Sequence, residues 1–145
     1  MNQLARIEQL LSFYNQLSSS NISGLAQIYH ADIQFIDPVK AVNGLAELQQ
    51  HFTHSYSNID YCKFEKLQAF EQINQGVLTW KMHFSHPSIG NSKAIVVDGC
   101  SMLRWQNGLI IYHRDYYDLQ QMVLTHLPVI GWLTGKVKQR MASSN

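Results

Sequence analysis

The sequence has little cysteine, little excess charge of either sign and no long hydrophobic run. Its two cysteines, Cys62 and Cys100, are too few for a disulfide framework, which favours free thiols in a reducing compartment. Eleven Lys and Arg against ten Asp and Glu leave a net charge of +1, which excludes the basic surface of a nucleic-acid-binding protein. No apolar stretch approaches the roughly 20 residues of a membrane span, and the N-terminus lacks a signal-peptide layout. These absences predict a soluble cytoplasmic protein.

The chain has the size and composition of one ordinary domain. Its 145 residues are 46% hydrophobic and 11% aromatic, which excludes a disordered protein. A chain of this length buries roughly 68–70% of the surface it exposes when unfolded. With no internal repeat and no linker, we predict a single domain over residues 1–145 that ends in a helical tail from about residue 127.

Helical spacing dominates the first half of the chain. Apolar residues recur every three or four positions over residues 4–17 and again over residues 44–56, which predicts two helices. A polar segment between them supplies a cap for a further helix over residues 22–29. Residues 33–37 then alternate as a strand that stops at Pro38.

The second half is typical of a sheet. Four segments rich in β-branched and aromatic residues are separated by short turns, at residues 61–73, 77–84, 94–105 and 109–117. Strands joined in this way form an antiparallel meander. Helices followed by such a meander predict an α+β fold, in which the helices cover one face of the sheet and enclose a pocket if the sheet curls around them.

The last segment, residues 119–141, is predicted to be helical with interruptions at Pro128 and Gly131. It carries apolar residues together with Lys136, Lys138 and Arg140, which suit a helix C-terminus. Its apolar face covers the pocket mouth, meets a second subunit or touches a membrane surface, and the first two roles are the plainer ones.

Asp37 and Tyr14 are candidates for acid/base chemistry. Asp37 ends a short strand just before Pro38, where it is either a turn residue or a carboxylate that faces an apolar cavity as a general base. Desolvation there would raise its pKa. Tyr14 lies on the apolar face of the first helix, as a core tyrosine or as a donor to a developing oxyanion.

The densest polar and aromatic stretch runs from Tyr112 to Asp118. Strand alternation places His113, Asp115 and Tyr117 on one face of the sheet. His113 and Asp115 then form either an acid/base pair or a structural pair in a solvated sheet.

Metal binding and nucleophilic catalysis have weaker signals. The pairs His51/His54 and His83/His86 match no recognised zinc pattern, so we expect no metal site and no cofactor. Cys100 has no nucleophile-elbow context, which favours a buried thiol.

Two segments resemble the nuclear-transport-factor-2-like superfamily, which includes SnoaL-like polyketide cyclases, ketosteroid isomerases and limonene-epoxide hydrolases. The stretch LLSFYNQL…LAQIYHADIQFIDPV…GLAELQQHF is similar to the front half of ketosteroid isomerases, and NGLIIYHRDYYDL is similar to the last strand of the epoxide hydrolases. The resemblance implies a cone-shaped α+β roll, in which a curved antiparallel sheet wraps around N-terminal helices and an apolar pocket. It also implies a homodimer, which we expect to form through the sheet.

The resemblance also implies roles for individual residues. It gives Tyr14 the oxyanion-donor role, Asp37 the role of the base and Asp115 that of a catalytic carboxylate. Ser101 stands where ketosteroid isomerases have a second Asp. The epoxide hydrolases also use an Arg and an Asp in their third strand. In the corresponding strand this chain offers Lys81 and His83, in the register that turns these two side chains toward the pocket.

A shift of one residue exchanges the two faces of that strand and would instead turn Trp80, Met82 and Phe84 toward the pocket. We favour this second register because these three side chains are apolar. The ligand-contacting residues that we predict are Phe35, Trp80, Met82, Val97, Ser101, Tyr117 and Met122. The leading hypothesis is a cofactor-independent isomerase, cyclase or dehydratase that acts on a small, largely apolar molecule. Either Asp37 or the His113–Asp115 pair serves as its base. The alternative is a non-catalytic binder of a small molecule or a protein on the same fold.

Overall fold

The structure is a computed structural model that describes residues 4–122 and 128–143. Its helices are α1 (Ala5–Gln16), α2 (Leu45–Ser57), α3 (Leu119–Met122) and α4 (Pro128–Ala142), with short 3₁₀ helices at Ile22–Gln27 and Gly90–Ser92. Its strands are β1 (Tyr29–Ile36), β2 (Ala41–Asn43), β3 (Tyr61–Gln72), β4 (Gln75–Ser85), β5 (Ile95–Gln106) and β6 (Leu109–Tyr117).

The six strands form one curved sheet in the order β2-β1-β6-β5-β4-β3. The predicted meander is confirmed, since β3 to β6 pair antiparallel with their sequence neighbours. The sheet is not antiparallel throughout, however, because β1 runs parallel to β6, with Phe35 opposite His113. The pairing of two strands at opposite ends of the chain leaves no mark in local periodicity, and the sequence therefore did not predict it.

Helices α1 and α2 pack on the concave face of the sheet and confirm the predicted α+β cone. The apolar stripe of α1 is buried there, at Ile7, Leu10, Leu11 and Tyr14. Burial of such a stripe stabilises a short helix far more than its intrinsic propensity does. The helices and the concave face thus enclose the core, which extends to Trp105 near the end of β5.

One prediction for the region between α1 and α2 was wrong, and one strand there was not predicted. The helix predicted over residues 22–29 is a 3₁₀ helix that ends at Gln27, and Tyr29 is the first residue of β1. Tyr29 lies opposite Ile110 of β6, so pairing in the sheet overrides its helical spacing. The three-residue strand β2 is too short to show an alternating pattern.

The interruption predicted at Gly131 was also wrong, because α4 continues through both Gly131 and Gly135. Glycine costs a helix about 1 kcal/mol relative to alanine, which weakens the helix without ending it. The predicted helix over residues 123–127 lies outside the described residues. Within the described part of the chain, no helix is long and apolar enough to cross a membrane.

The face of β4 that meets the interior carries Trp80, Met82 and Phe84, as the apolar alternation favours. Trp80 packs flat against the neighbouring strand at Gly99. A Cβ at Gly99 would lie 2.1 Å from the Trp80 ring, so only glycine fits here. This close approach fixes the position of the Trp80 ring, which lines the interior of the fold.

Candidate active site

A cavity of about 240 Å³ lies between the sheet, α1 and α2. Its walls are mainly apolar and aromatic, including Phe52, Phe64 and Phe84, with a few polar groups among them. Such a site, apolar with a few polar groups at defined positions, is the usual form of a small-molecule pocket. The polar groups include one set around Asp115 and another around Asp37.

Asp115 belongs to β6 and accepts two hydrogen bonds at the same oxygen. Ser101 Oγ donates to Asp115 Oδ1 over 2.5 Å, and His113 Nε2 lies 2.7 Å from that atom. Trp80 Nε1 donates to Ser101 Oγ over 2.9 Å. Because the indole is only a donor, it sets the direction of the Ser101 hydroxyl and makes Asp115 the acceptor.

The hydrogen bonds continue from His113 to the far side of the interior. His113 Nδ1 lies 2.8 Å from the hydroxyl of Tyr29, and that hydroxyl lies 2.5 Å from the hydroxyl of Tyr14. His113 is 2% exposed, and its ring packs 4.8 Å from that of Phe35. A continuous chain of side-chain hydrogen bonds therefore joins Tyr14 to Asp115.

This chain can run in two directions. With neutral His113 donating from Nε2, Nδ1 accepts from Tyr29, and Tyr29 accepts from Tyr14. With doubly protonated His113, both bonds reverse, and the Tyr14 proton is free to point into the cavity. Movement of one proton at His113 therefore changes what Tyr14 offers to a ligand.

The two tyrosines stay neutral under ordinary conditions. Burial raises the pKa of Tyr14 well above its usual value, and the nearby Tyr29 and Asp115 raise it further. Burial also raises the pKa of Tyr29, although its hydrogen bond with Tyr14 acts in the opposite direction. A neutral phenol in a dry site is a hydrogen-bond donor to an oxygen that gains negative charge.

Asp37 lies in the loop after β1, at the other polar position of the cavity. Its Oδ1 accepts from the backbone N–H groups of Val39 over 2.7 Å and Lys40 over 2.8 Å. Its Oδ2 lies 3.3 Å from His51 Nε2 on α2. Burial by itself raises the pKa of Asp37, but these hydrogen bonds outweigh burial, so the pKa is lowered. The expected raised pKa was therefore wrong, because the turn after Asp37 supplies donors to its carboxylate.

Tyr56 of α2 and Cys62 of β3 form a third polar contact in the cavity wall. Burial raises the pKa of the Cys62 thiol to about 11, although its hydrogen bond with Tyr56 and the charge of Lys63 lower it. Such a thiol is protonated and a poor nucleophile at neutral pH.

Most of the residues predicted to contact a ligand line the cavity. They are Tyr14, Phe35, Asp37, Trp80, Met82, Asp115, Tyr117 and Met122. His113 and Ser101 lie behind this surface and border a separate void of about 20 Å³. Val97 lies outside both spaces, fully buried in a small cluster with Phe84 and Ile95. The alternation along β5 puts Val97 on the inner face opposite Met82, but the cavity-lining side chains Phe84, Met82, Tyr117 and Met122 pack around Val97 and separate it from the cavity.

Sequence reasoning missed two residues of the site. Tyr29 was not identified because its spacing predicted that it lies in a helix. Its hydrogen bond with His113 also joins two residues that are 84 positions apart in the chain. His51 was considered only as a metal ligand paired with His54. Its position three residues after the buried Leu48 puts it on the inner face of α2, a signal that does find it.

The described part of the chain has no group of three or more His, Cys, Asp or Glu side chains placed to hold a metal ion. His51 points to Asp37, whereas His54 is solvent-exposed. Cys100 was expected to be buried but is partly exposed, because it lies opposite Thr79 and Tyr116 on the outer face of the sheet.

A family model matches most of the chain. The model for the SnoaL-like domain matches residues 10–113, from α1 to His113 in β6. The chain belongs to the SnoaL-like family. The resemblance to the nuclear-transport-factor-2-like superfamily is thereby confirmed, and this SnoaL-like chain matches no curated protein in a sequence comparison.

Solved structures share the fold at low sequence identity. A protein with a ketosteroid isomerase-like fold from Catenulispora acidiphila, in complex with trimethylamine, has a TM-score of 0.73 at 14% identity, over 84% of this chain and 91% of that one. A protein assigned as a SnoaL-like polyketide cyclase from Jannaschia has a TM-score of 0.70 at 11% identity, over 84% and 90%. AclR from Streptomyces galilaeus, assigned as a hydroxylase, has a TM-score of 0.69 at 13% identity, over 97% and 94%. At these identities the SnoaL-like chain shares the fold with each of them.

Proposed function

We propose that this protein is a cofactor-independent acid/base enzyme that acts on a small, largely apolar molecule, with Asp115 as the base. The observation that carries the proposal is the unbroken chain of hydrogen bonds from Asp115 through His113 and Tyr29 to Tyr14. Its two ends, Asp115 and Tyr14, both line the cavity. A base and an acid thus face the same ligand and are linked by a path for protons behind it.

In the proposed reaction, Asp115 removes a proton from a carbon atom next to a carbonyl group. The hydrogen bonds from Ser101 and His113 both end on Oδ1, so we assign the proton transfer to Oδ2. In the arrangement with His113 doubly protonated, the Tyr14 proton is free, and Tyr14 donates a hydrogen bond to the carbonyl oxygen, which gains negative charge as the proton leaves. A positioned base and such a donor contribute typically 10²-fold or more each.

The fate of the enolate decides the reaction. Return of the proton to another carbon gives isomerisation, attack of the enolate on a second carbonyl group gives cyclisation, and loss of a hydroxyl group gives dehydration. The cavity volume of about 240 Å³ is at the small end for ligand pockets, which favours a compact substrate. Asp37 and His51 are assigned to positioning the loop after β1.

The decisive experiment follows proton exchange directly. Compounds that remain bound through purification are identified by native mass spectrometry, and each is then incubated with the protein in D₂O and followed by proton NMR. Small cyclic ketones and enones serve as further probes. We expect the wild-type protein to exchange a carbon-bound proton next to a carbonyl group, and Asp115→Asn to lose this exchange.

Exchange that survives in Asp115→Asn but not in Asp37→Asn would move the role of base to Asp37. A tightly bound compound whose carbon-bound protons all persist in D₂O would instead support a non-catalytic binder.

A further inference from the structure

Helix α4 presents a stripe of apolar side chains to solvent. Ile130, Leu133, Val137 and Met141 follow one another at three- and four-residue intervals, which puts them on one side of the helix. They are 43%, 50%, 58% and 75% exposed. Trp132, on the opposite side of the helix from the stripe, is 62% exposed, in contrast to the buried Trp80 and Trp105. Burial of these side chains would be favourable, so the stripe suits a surface outside this chain.

The charged side chains of α4 are all basic. The helix carries Lys136, Lys138 and Arg140, three of the eleven basic residues of the chain, and none of the ten acidic residues. The remainder of the chain accordingly has a net charge of −2. A near-neutral protein is thus divided into a slightly acidic body and a basic helix of 15 residues.

We propose that α4 lies flat on an anionic phospholipid surface, with its apolar stripe among the acyl chains and its lysines among the headgroups. A basic helix with an apolar side binds in this way within the interface of a bilayer. Trp132 lies on the other side of the helix, with the ammonium of Lys136 5.7 Å from its ring centroid, and faces water when the stripe is inserted. The helix does not cross the bilayer, in agreement with its length and charge.

Charge complementarity favours lipid over another protein as the occupant. An anionic bilayer offers negative charge on every side of the stripe, so it meets Lys136 and Lys138, which flank the stripe on its two sides, at once. A second copy of this chain would need an apolar groove with acidic residues on both sides. Gly131 and Gly135 also lower the intrinsic stability of α4, which favours a helix that gains stability on a surface.

The full-length protein is tested by flotation with vesicles of phosphatidylglycerol and phosphatidylcholine, and with vesicles of phosphatidylcholine alone. We expect binding to the anionic vesicles at low salt, and weaker binding as salt is added. The fluorescence of a tryptophan placed in the stripe, by Leu133→Trp in a Trp132→Phe background, should shift to shorter wavelength on binding. The buried Trp80 and Trp105 contribute a constant background, and Trp132→Phe alone should show no shift.

Two variants that change the charge by the same amount distinguish insertion of the apolar stripe from electrostatic attraction of the helix to the anionic lipid. Val137→Glu places a carboxylate in the stripe, and Gln139→Glu places one on the opposite side of the same helix. We expect Val137→Glu to weaken the partition coefficient at least tenfold more than Gln139→Glu. Both residues are exposed, so thermal unfolding of the core should stay unchanged. Lys136→Gln with Lys138→Gln should weaken binding about fivefold for each charge removed.

Other outcomes would overturn the proposal. Equal effects of Val137→Glu and Gln139→Glu would show that the stripe does not insert. Failure of the wild-type protein to float with anionic vesicles at low salt would exclude a lipid surface. If Val137→Glu then lowered the molar mass in sedimentation, a second copy would be the occupant. If it changed only ligand binding in the cavity, α4 would be a lid.

Discussion

The cavity holds two carboxylate–histidine pairs, and their partners differ in kind. Asp37 is held by two backbone N–H groups and by His51 at 3.3 Å. Asp115 is held by side chains alone, with Ser101 at 2.5 Å and His113 at 2.7 Å. A backbone N–H group can only donate a hydrogen bond, whereas an imidazole can both donate and accept a proton. The pair at Asp37 is therefore suited to fixing a loop, and the pair at Asp115 is suited to moving protons.

The largest expected difference between the pairs is in turnover. Asp115→Asn should reduce the rate of proton exchange by about 10²–10⁴, the range typical for loss of a general base. Asp37→Asn should reduce it less than about tenfold, because it only loosens the loop. Single-turnover NMR in D₂O measures both rates on the same ligand. Equal losses would contradict the division of roles between the two carboxylates.

A steric change on one side of the cavity should affect only one pair. Gly99→Ala puts a methyl group into the Trp80 ring, and the ring must move away from Ser101. We expect a loss of about 3 kcal/mol in the free energy of unfolding, at the upper end for overpacking. Urea denaturation measures this loss, and Gly135→Ala, whose Cβ meets no atom within 4 Å, is the matched control. The lowered pKa of Asp37 should stay as in the wild type, and a change in it would show that the two pairs are coupled.

Removal of a single hydroxyl from the hydrogen-bond chain should have a smaller effect. Tyr29→Phe leaves the Tyr14 hydroxyl and His113 Nδ1 without their shared partner in a buried site. The expected cost is about 1–3 kcal/mol, as for buried polar groups left unsatisfied. Thermal and urea unfolding measure the cost, with Tyr116→Phe on the exposed outer face as the control. If both variants unfold alike, water replaces the missing hydroxyl.

The smallest expected effect is on acid stability. The pKa of Asp37 is lower in the folded protein than its value near 3.9 in an unfolded chain. Ionised Asp37 therefore stabilises the fold above about pH 5, and this contribution is lost as the pH falls through the lowered pKa. Asp37→Asn should lose less stability than the wild type between neutral and acid pH, as followed by urea unfolding at several pH values. Parallel curves would show that Asp37 contributes nothing to acid unfolding.

The sequence predicted the sheet and the inner face of β6 well, because both depend on local alternation. His113, Asp115 and Tyr117 fall on one face once the strand is recognised, and the register with β5 then brings Ser101 opposite Asp115. Tyr29 is different, since its role depends on a strand pairing across most of the chain. Local spacing favoured a helix at that position, and nothing within a few residues contradicts it.

Asp37 shows a second limit of sequence reasoning. Its place in the cavity was predicted, but the direction of its pKa shift depends on the turn that follows and on His51 of α2. Burial and hydrogen bonding act in opposite directions on a carboxylate, and only the geometry decides which is larger.

The parallel pairing of β1 with β6 has a consequence for biosynthesis. Phe35 meets His113 across 78 positions of sequence, so Asp37 and Asp115 cannot share a cavity until the final strand is in place. A nascent chain that has left the ribosome only as far as β5 has no partner for the inner edge of β1. The reactive pocket is therefore assembled late, and a truncated product is left without a working centre.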